Sequence, residues 1–330
     1  MKSARSVMCP ACYHGFGQRP PYFEGWYFKV VDASEQHRYA IIPGVSLGGT
    51  GSTKDAHSFV QVLDGISGAT SYVRYPLEEF WAARNVFEIR IGPNRFSERE
   101  LVLDLPDDSL GLKGQLVLDE LRPWPVTLAS PGIMGWFSWV PRMECYHGVL
   151  SLDHGLHGSL QISGQGIVAF DGGRGYIEKD WGQAFPTGWV WMQSNHFDTP
   201  GTCLTASIAM IPWIGRAFRG FIVGLYLRGK LYRFATYTGA KTDVLEINAD
   251  SVHWSLHDRL YQLDIVASRA AAGDLRGPSH QDMGRRVPET LQARVAVRLK
   301  ALHKGAVLFD ETGRVGGLEV AGDLATLEGA

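Results

Sequence analysis

Short runs of residues that favour β-strands recur along the whole chain, and each run ends at glycine, proline, asparagine or aspartate. Typical runs are FEGWYFKVV, HSFVQVLD, VFEIRIG, GFIVGLYL and RLYQLDIVAS. LEEFWAARNVF fits a short helix, whereas the alternation in ARVAVRL favours a strand. The 39 glycines among 330 residues suit the turns and bulges of sheets, and the 11% of aromatic residues suit their pleated faces. We therefore predict an all-β fold with few, short helices.

The strand runs fall into two groups with similar beginnings. EGWYFKV near the start and GWVWMQSN near the middle are each a Trp-rich strand that follows a lead-in containing glycine or proline. Two tandem antiparallel barrels or sandwiches, packed together, would produce this echo. We expect a frayed leader over residues 1–20, a first barrel-like domain over residues 21–170 and a second over residues 171–330. We also expect the two Trp-rich strands to lie side by side or to face each other around one cavity.

Charge and cysteine content exclude several classes of function. A formal net charge of −2 offers no basic excess for phosphates, so nucleic acid is not an expected partner. The longest uncharged stretch, residues 125–141, is broken by proline and glycine and therefore predicts no transmembrane helix. Cys9 and Cys12 lack the second ligand pair that a structural zinc site needs, and no histidines form an HExxH pair. We expect no metal, free thiols in the leader, and a cytoplasmic protein.

Residues 172–195 contain many of the polar and aromatic side chains that a catalytic or binding site would need. In an extended chain Tyr176, Glu178 and Asp180 share one strand face, and Lys179 points to the opposite face. The same alternation places four further side chains on one face of the next strand: Trp189, Trp191, Gln193 and Asn195. Two indoles followed by two amides fit an aromatic cavity with polar anchors. The alternative is an ordinary barrel interior, with a structural ion pair among residues 178–180.

Three segments carry a resemblance to a known family. They are PYFEGWYFKV at residues 21–30, SPGIMGWFSWVPRMECYHGV at residues 130–149 and GGRGYIEKDWGQAFPTGWVWMQSNHF at residues 172–197. All three resemble the signatures of the tocopherol cyclase family, including its bacterial members, and RFATYTGA and GGLEVAG extend the resemblance over nearly the whole chain. More remotely, the chain is similar to the double lipocalin-like architecture of carotenoid hydratases. The plant enzymes carry a transit peptide that is not visible here, so a bacterial cytoplasm fits better than a plastid.

The resemblance implies a cofactor-free closure of a chromanol ring, an isomerase- or lyase-type reaction inside one molecule. An acid protonates a double bond of a prenyl tail, and a phenol oxygen of the hydroquinone head captures the tertiary cation. The acid must stay protonated near neutral pH, which burial among aromatic rings favours by raising a carboxyl pKa. Asp180 is our first choice for this acid, before Glu24 and Glu178, and His196 is the expected acceptor of the phenolic proton unless it merely meets solvent.

The remaining predicted roles concern the substrate, a hydrophobic prenylated hydroquinone or a related isoprenoid. Indole faces stabilise a carbocation, and Gln193 and Asn195 would orient the hydroquinone hydroxyls. The predicted substrate contacts are Tyr22, Trp26, Trp136, Tyr146, Tyr176, Trp181, Trp189, Trp191, Gln193 and Asn195. The apolar residues 130–141 are either core or a partly exposed, peripheral membrane contact through which substrate enters. Two other functions stay open: a non-catalytic isoprenoid-binding protein, and a hydratase in which water captures the cation.

Overall fold

Almost all regular structure in the computed structural model is β-strand, as predicted. The structure describes residues 4–107, 110–213, 216–303 and 305–328. Within these ranges, no helix has the length and apolar character needed to cross a membrane. Short helices occur at Ala4–Val7 and Ala325–Glu328, and 3-10 turns at Leu77–Glu79, Gly135–Trp139 and Thr236–Thr238. The helix expected for LEEFWAARNVF is only the first of these turns followed by a short strand.

The strands are numbered in chain order. The first twelve are β1 (Phe23–Val31), β2 (Arg38–Ser46), β3 (His57–Asp64), β4 (Thr70–Tyr75), β5 (Phe80–Ala82), β6 (Glu88–Ile91), β7 (Asn94–Ser97), β8 (Glu100–Asp104), β9 (Leu112–Asp119), β10 (Cys145–Ile162), β11 (Gly166–Ala169) and β12 (Gly173–Gly182). The others are β13 (Gly188–Ser194), β14 (Cys203–Trp213), β15 (Arg216–Leu227), β16 (Lys230–Ala235), β17 (Lys241–Ile247), β18 (Ser251–His257), β19 (Tyr261–Ser268), β20 (Gly273–Gly277), β21 (Arg285–Ala301) and β22 (Val307–Gly322).

The chain forms two compact units, and the first is discontinuous. It comprises the described residues up to Phe185 together with Gly273–Arg286, whereas the second comprises Pro186–Ala272 and the described residues from Val287 onward. The division therefore lies beyond the expected boundary near residue 170. The reason is β12, which is hydrogen-bonded to β1 on one side and to β10 on the other.

The first unit is an antiparallel sheet in the order β4-β3-β2-β1-β12-β10-β9-β8-β7-β6-β5, with β11 paired to β10. Strands from both halves of this sheet, for example β3 with Val60 and β7 with Phe96, bury side chains in one core. The sheet is therefore barrel-like. Trp26 and Phe28 of β1 and Ile177 of β12 belong to that core. We call the side of the sheet that carries them the core face, and the opposite side the outer face.

The second unit is an antiparallel sheet in the order β16-β15-β14-β13-β22-β21-β19-β18-β17 around a separate core. Val190 and Met192 of β13 point into this core. The Trp-rich strands β1 and β13 thus belong to different sheets. The prediction that they lie side by side was wrong, because β12 and β2 flank β1 while β14 and β22 flank β13.

Residues 6–15, which we call the N-terminal segment, are packed, although they belong to the leader that was expected to be frayed. Cys9 and Cys12 form a disulfide, so the prediction of free thiols was also wrong. The indole of Trp26 donates a hydrogen bond of 3.0 Å to the carbonyl of Ala11, and Ala11 packs against the core of the first unit. Gly148 makes room for the segment, since a Cβ there would lie 3.3 Å from Pro10. These contacts close one part of the core face.

Candidate functional site

A fully buried ion pair lies on the core face beneath the N-terminal segment. The ammonium of Lys179 is 2.5 Å from the carboxylate of Glu24, and neither side chain is exposed. Lys179 also donates hydrogen bonds to the backbone carbonyls of Pro10, at 3.1 Å, and Cys12. Its fourth partner, after Glu24 and the two carbonyls, is Nδ1 of His14, at 2.8 Å. An ammonium has three protons, so four acceptors use its whole donor capacity.

The surroundings of Glu24 keep this carboxyl ionised. It accepts hydrogen bonds from the backbone N–H of His14, at 2.9 and 3.0 Å, and from the hydroxyl of Tyr22. Burial opposes the charge, but the attraction of Lys179 and the bonds from His14 outweigh burial and lower the pKa of Glu24. Burial lowers the pKa of Lys179 to about 8 despite Glu24, so Lys179 remains protonated at pH 7. An ionised Glu24 is a poor proton donor.

The indoles of Trp26 and Trp181 pack against the cation of the same ion pair. The Lys179 ammonium lies 4.7 Å from the centroid of each ring. Trp181 also stacks on His14, with ring centroids 4.4 Å apart, and on Tyr146, at 5.5 Å. These rings lie on the core face. Asp180, the neighbour of Trp181 on β12, points to the outer face. The sequence had predicted one site that contains Asp180 together with these aromatic side chains. The structure instead places four of them away from Asp180, on the other face: Tyr22, Trp26, Tyr146 and Trp181.

The strand register places Asp180 and Glu24 on opposite faces of one sheet. Asp180 pairs with Gly25 of β1 and with His147 of β10, while Glu24 pairs with Trp181. Lys179 consequently points away from Asp180, as predicted from strand alternation. Tyr176 and Glu178 share the outer face with Asp180.

Four side chains form a polar group on the outer face, which we call the outer-face cluster: Tyr176, Glu178, Asp180 and His147. Nδ1 of His147 is 2.9 Å from the carboxylate of Asp180, and Nε2 of His147 is 3.7 Å from that of Glu178. The Tyr176 hydroxyl donates a hydrogen bond of 2.6 Å to Glu178. The side chain of Glu178 is 6% exposed, compared with 16% for His147 and 26% for Asp180.

This cluster also contains the groups that a metal ion would need. His147, Glu178 and Asp180 each offer one ligand atom, and these atoms lie within 4.8 Å of one another. Because Nδ1 of His147 is hydrogen-bonded to Asp180 and its Nε2 lies 3.7 Å from Glu178, the geometry is equally that of a proton-sharing group. Sequence reasoning did not assign a role to His147, because the proximity of His147 to Asp180 depends on the pairing of β10 with β12.

The outer face beside Asp180 is open at Gly25. A Cβ at Gly25 would meet no atom nearer than 3.8 Å, the distance to Ile42. The adjacent surface is apolar, since Phe23 and Phe59 pack against Met283 of the returning segment Gly273–Arg286. A polar cluster, a vacant glycine position and apolar walls are the features of a site for a largely apolar molecule.

Sequence reasoning also missed Glu144, which precedes β10. Burial raises the pKa of this carboxyl, with smaller opposing effects from His280 and Arg285. Its carboxylate is 3.0 Å from Nε2 of His280. Glu144 and His280 thus form a further carboxyl–histidine pair in the first unit.

In the second unit, the aromatic and amide side chains that were predicted to contact substrate lie on the face of β13 that points away from the core, or directly follow that strand. The Trp189 indole donates a hydrogen bond of 2.6 Å to Glu319 of β22, and Trp191 is in register with the same glutamate. Glu319 in turn pairs with the fully buried Glu289 of β21. Gln193 and Asn195 are buried, as is His196, whose Nδ1 is 2.9 Å from the Asn195 side chain. His196 therefore does not meet solvent.

Comparison with known proteins connects this architecture to one family. Residues 121–322 match the tocopherol cyclase-like family. The chain belongs to this family. The tocopherol cyclase-like region includes the whole outer-face cluster and the Trp-rich strand β13, whereas Glu24 lies before it.

Individual relatives agree with this assignment. A probable chloroplastic tocopherol cyclase of Oryza sativa subsp. japonica is 25% identical, over 94% of this chain and 77% of its own length. Among solved structures, CghA has a TM-score of 0.60 at 10% identity, covering 92% of this chain and 89% of its own. Kievitone hydratase from Nectria haematococca has a TM-score of 0.52 at 10% identity, covering 94% of each chain. The two structures show a shared fold.

Proposed function

We propose that this tocopherol cyclase-like protein closes a ring on a prenylated hydroquinone, or on a similar isoprenoid-substituted phenol, without a cofactor. The observation that carries the proposal is the outer-face cluster. It holds a buried carboxyl, Glu178, between a tyrosine hydroxyl and a histidine that is hydrogen-bonded to a second carboxyl, Asp180. Family membership supports an activity of the cyclase or hydratase type.

Glu178 is the proposed proton donor. Its carboxylate accepts the hydrogen bond of the Tyr176 hydroxyl and lies 3.7 Å from Nε2 of His147, so a proton can pass between these groups. Asp180 is the more exposed of the two and holds Nδ1 of His147. That bond directs the other ring nitrogen of His147 towards Glu178, and so Asp180 acts as a positioning residue. We therefore propose Glu178 instead of Asp180 as the proton donor, because Glu178 is the more deeply buried carboxyl.

The proposed reaction conserves the atoms of the substrate. The proton of Glu178 adds to the less substituted carbon of the alkene and leaves a tertiary cation. A phenol oxygen of the hydroquinone then forms the new C–O bond. Its proton returns to the cluster through His147, and Glu178 is protonated again. General acid catalysis of this kind contributes rate factors of about 100 to 10,000.

Hydration is the second candidate function. The same protonated alkene gives a tertiary alcohol when water captures the cation. The 26% exposure of the Asp180 side chain lets water approach the cluster, which favours this alternative, and the shared fold of kievitone hydratase is compatible with it. The substrate roles of Trp189, Trp191, Gln193 and Asn195 in the second unit stay predictions.

Incubation with prenylated hydroquinones in deuterated water distinguishes these functions. A cyclase is expected to yield a chromanol with one deuterium on the carbon that was protonated, detected by mass spectrometry and NMR. A hydratase yields a tertiary alcohol with one deuterium instead. Recovery of unchanged, undeuterated substrate bound to the protein contradicts both and leaves a carrier. Heat-denatured protein is the control for uncatalysed closure.

The vacant position at Gly25 provides a test of where the substrate lies. We expect Gly25→Val to lower turnover about tenfold or more, because its side chain occupies the space beside Asp180 and displaces the reacting atoms. Gly155 is the matched control, since a Cβ there also meets nothing nearer than 3.8 Å. Equal losses for Gly25→Val and Gly155→Val, measured by steady-state kinetics, would mean that the substrate does not use the outer face.

A further inference from the structure

A group of exposed apolar side chains precedes β10 in the first unit. We call it the loop surface: Val126, Leu128, Trp136 and Trp139, which are 37%, 74%, 48% and 38% exposed. Residues 130–141 were expected to be core or a partly exposed contact, and Trp136 and Trp139 of that stretch are partly exposed. Ile133 and Met134 of the same stretch are buried. Exposed tryptophan and leucine in one segment are unusual unless they meet an apolar partner.

The loop surface is held in place by its own contacts. The Trp139 indole donates a hydrogen bond of 3.0 Å to the carbonyl of Leu128, and the hydroxyl of Ser138 donates one of 2.8 Å to the carbonyl of Pro131. Trp136 stacks on Phe137 with ring centroids 4.1 Å apart. These bonds keep Leu128 and Trp136 outward instead of letting them fold onto the protein. The apolar surface is thus preorganised for a partner, which lowers the entropy cost of binding.

Charge indicates the chemistry of that partner. Residues 122–142 contain neither aspartate nor glutamate and two arginines, of which Arg122 lies 3.6 Å from Asp153. Arg142 is exposed and follows Trp139 by three residues in the sequence. Tryptophan beside basic residues is the composition favoured at the interface of a bilayer with anionic lipid headgroups.

The loop surface is anchored to β10 beside His147, through a backbone contact and through a side chain of the core face. The sulfur of Met134 accepts a hydrogen bond of 3.1 Å from the backbone N–H of His147. The hydroxyl of Tyr146 donates one of 2.6 Å to the carbonyl of Val140. The segment between these contacts carries Trp136 and Trp139. The loop surface is thus fixed to the strand that carries His147, whose side chain lies on the outer face.

We propose that the loop surface binds the interface of an anionic lipid bilayer, with Leu128 and Trp136 entering the headgroup region and Arg142 meeting the lipid charge. The proposal does not rest on the proposed function, because binding is measured without substrate.

Vesicle flotation tests the proposal with the full chain. Wild-type protein is expected to float with phosphatidylcholine vesicles that contain 30% phosphatidylglycerol, a chosen composition, and less with phosphatidylcholine alone. The double variant Leu128→Ser/Trp136→Ser is expected to bind at least tenfold more weakly, since each side chain loses apolar burial. Arg142→Gln is expected to weaken binding about fivefold, for anionic vesicles only.

Trp81→Ser is the matched control. Trp81 is 47% exposed in the same unit and lies under the guanidinium of Arg90, at 4.9 Å from the ring centroid. Its replacement is expected to leave vesicle binding unchanged. Absence of wild-type flotation, or an equal loss in Trp81→Ser, overturns the proposal. So does a concentration-dependent dimer in analytical ultracentrifugation that the double variant abolishes, because a second copy would then cover the surface. Circular dichroism melting confirms that each variant is folded.

Discussion

Glu178→Gln is expected to lower the turnover of a prenylated hydroquinone by a factor of about 100 or more, the usual contribution of general acid catalysis. The amide keeps the shape of the side chain and still accepts the hydrogen bond from Tyr176, which is 2.6 Å away in the native protein. It has no acidic proton to add to an alkene. Substrate binding and thermal stability are therefore expected to change little. Single-turnover kinetics, a binding titration and a melting curve measure the three quantities.

Two further variants make the assignment of the acid specific. Asp180→Asn is also expected to slow turnover, because it weakens the bond that orients His147. If Asp180→Asn abolishes turnover while Glu178→Gln leaves it intact, the acid is Asp180. Glu144→Gln is the matched control, since Glu144 is a second carboxyl bonded to a histidine in the same unit. A larger loss in Glu144→Gln than in Glu178→Gln would place the acid outside the outer-face cluster.

Lys179→Met is expected to lower the free energy of unfolding by about 3–5 kcal/mol, the cost of leaving one partner of a buried ion pair without the other. Methionine fills most of the volume but leaves the Glu24 carboxylate without its counter-ion. The double variant Glu24→Gln/Lys179→Met removes both charges and is expected to recover part of the loss. Urea unfolding followed by tryptophan fluorescence measures these differences.

An exposed ion pair in the same unit gives the control for this stability effect. Arg74 and Asp55 are 2.7 Å apart, but both side chains are more than a third exposed. Arg74→Met is expected to cost less than about 1 kcal/mol because solvent screens such pairs. A Lys179→Met variant no less stable than Arg74→Met would contradict a structural role for the buried pair.

The same ion pair predicts a pH dependence of stability. Lys179 has a pKa of about 8 in the folded protein against 10.5 ordinarily, so the unfolded chain binds more protons between these values. Its contribution to the free energy of unfolding therefore increases as the pH rises from 8 to 10.5. The pKa of Glu24 is lowered, so its contribution is present above pH 4.5 and is lost as the pH falls through its folded-state pKa. Lys179→Met is expected to lack the alkaline increase.

The sequence predicted which side chains share a strand face, because this depends on local alternation. It did not predict which side chains of different strands meet, because this depends on strand pairing. Strand periodicity placed Tyr176, Glu178 and Asp180 on one face and Lys179 on the other, and the register confirms this arrangement. His147 joins them only because β10 pairs with β12, which no local pattern reveals. The packing of residues 9–14 was hidden for a different reason. These residues are held by a disulfide and by their backbone carbonyls, which accept hydrogen bonds from Lys179 and Trp26. Neither kind of contact produces a hydrophobic pattern in the sequence.

The discontinuity of the first unit has a consequence for synthesis on the ribosome. Phe23 and Phe59 emerge early, but Met283, which packs against them, lies beyond Pro186–Ala272 of the second unit. Until that residue emerges, Phe23 and Phe59 lack one of their apolar neighbours, and exposed apolar surface of this type recruits chaperones or leads to aggregation. A gene fragment that stops at Phe185 encodes an incomplete first unit, and a fragment that also supplies Gly273–Arg286 is needed to complete it.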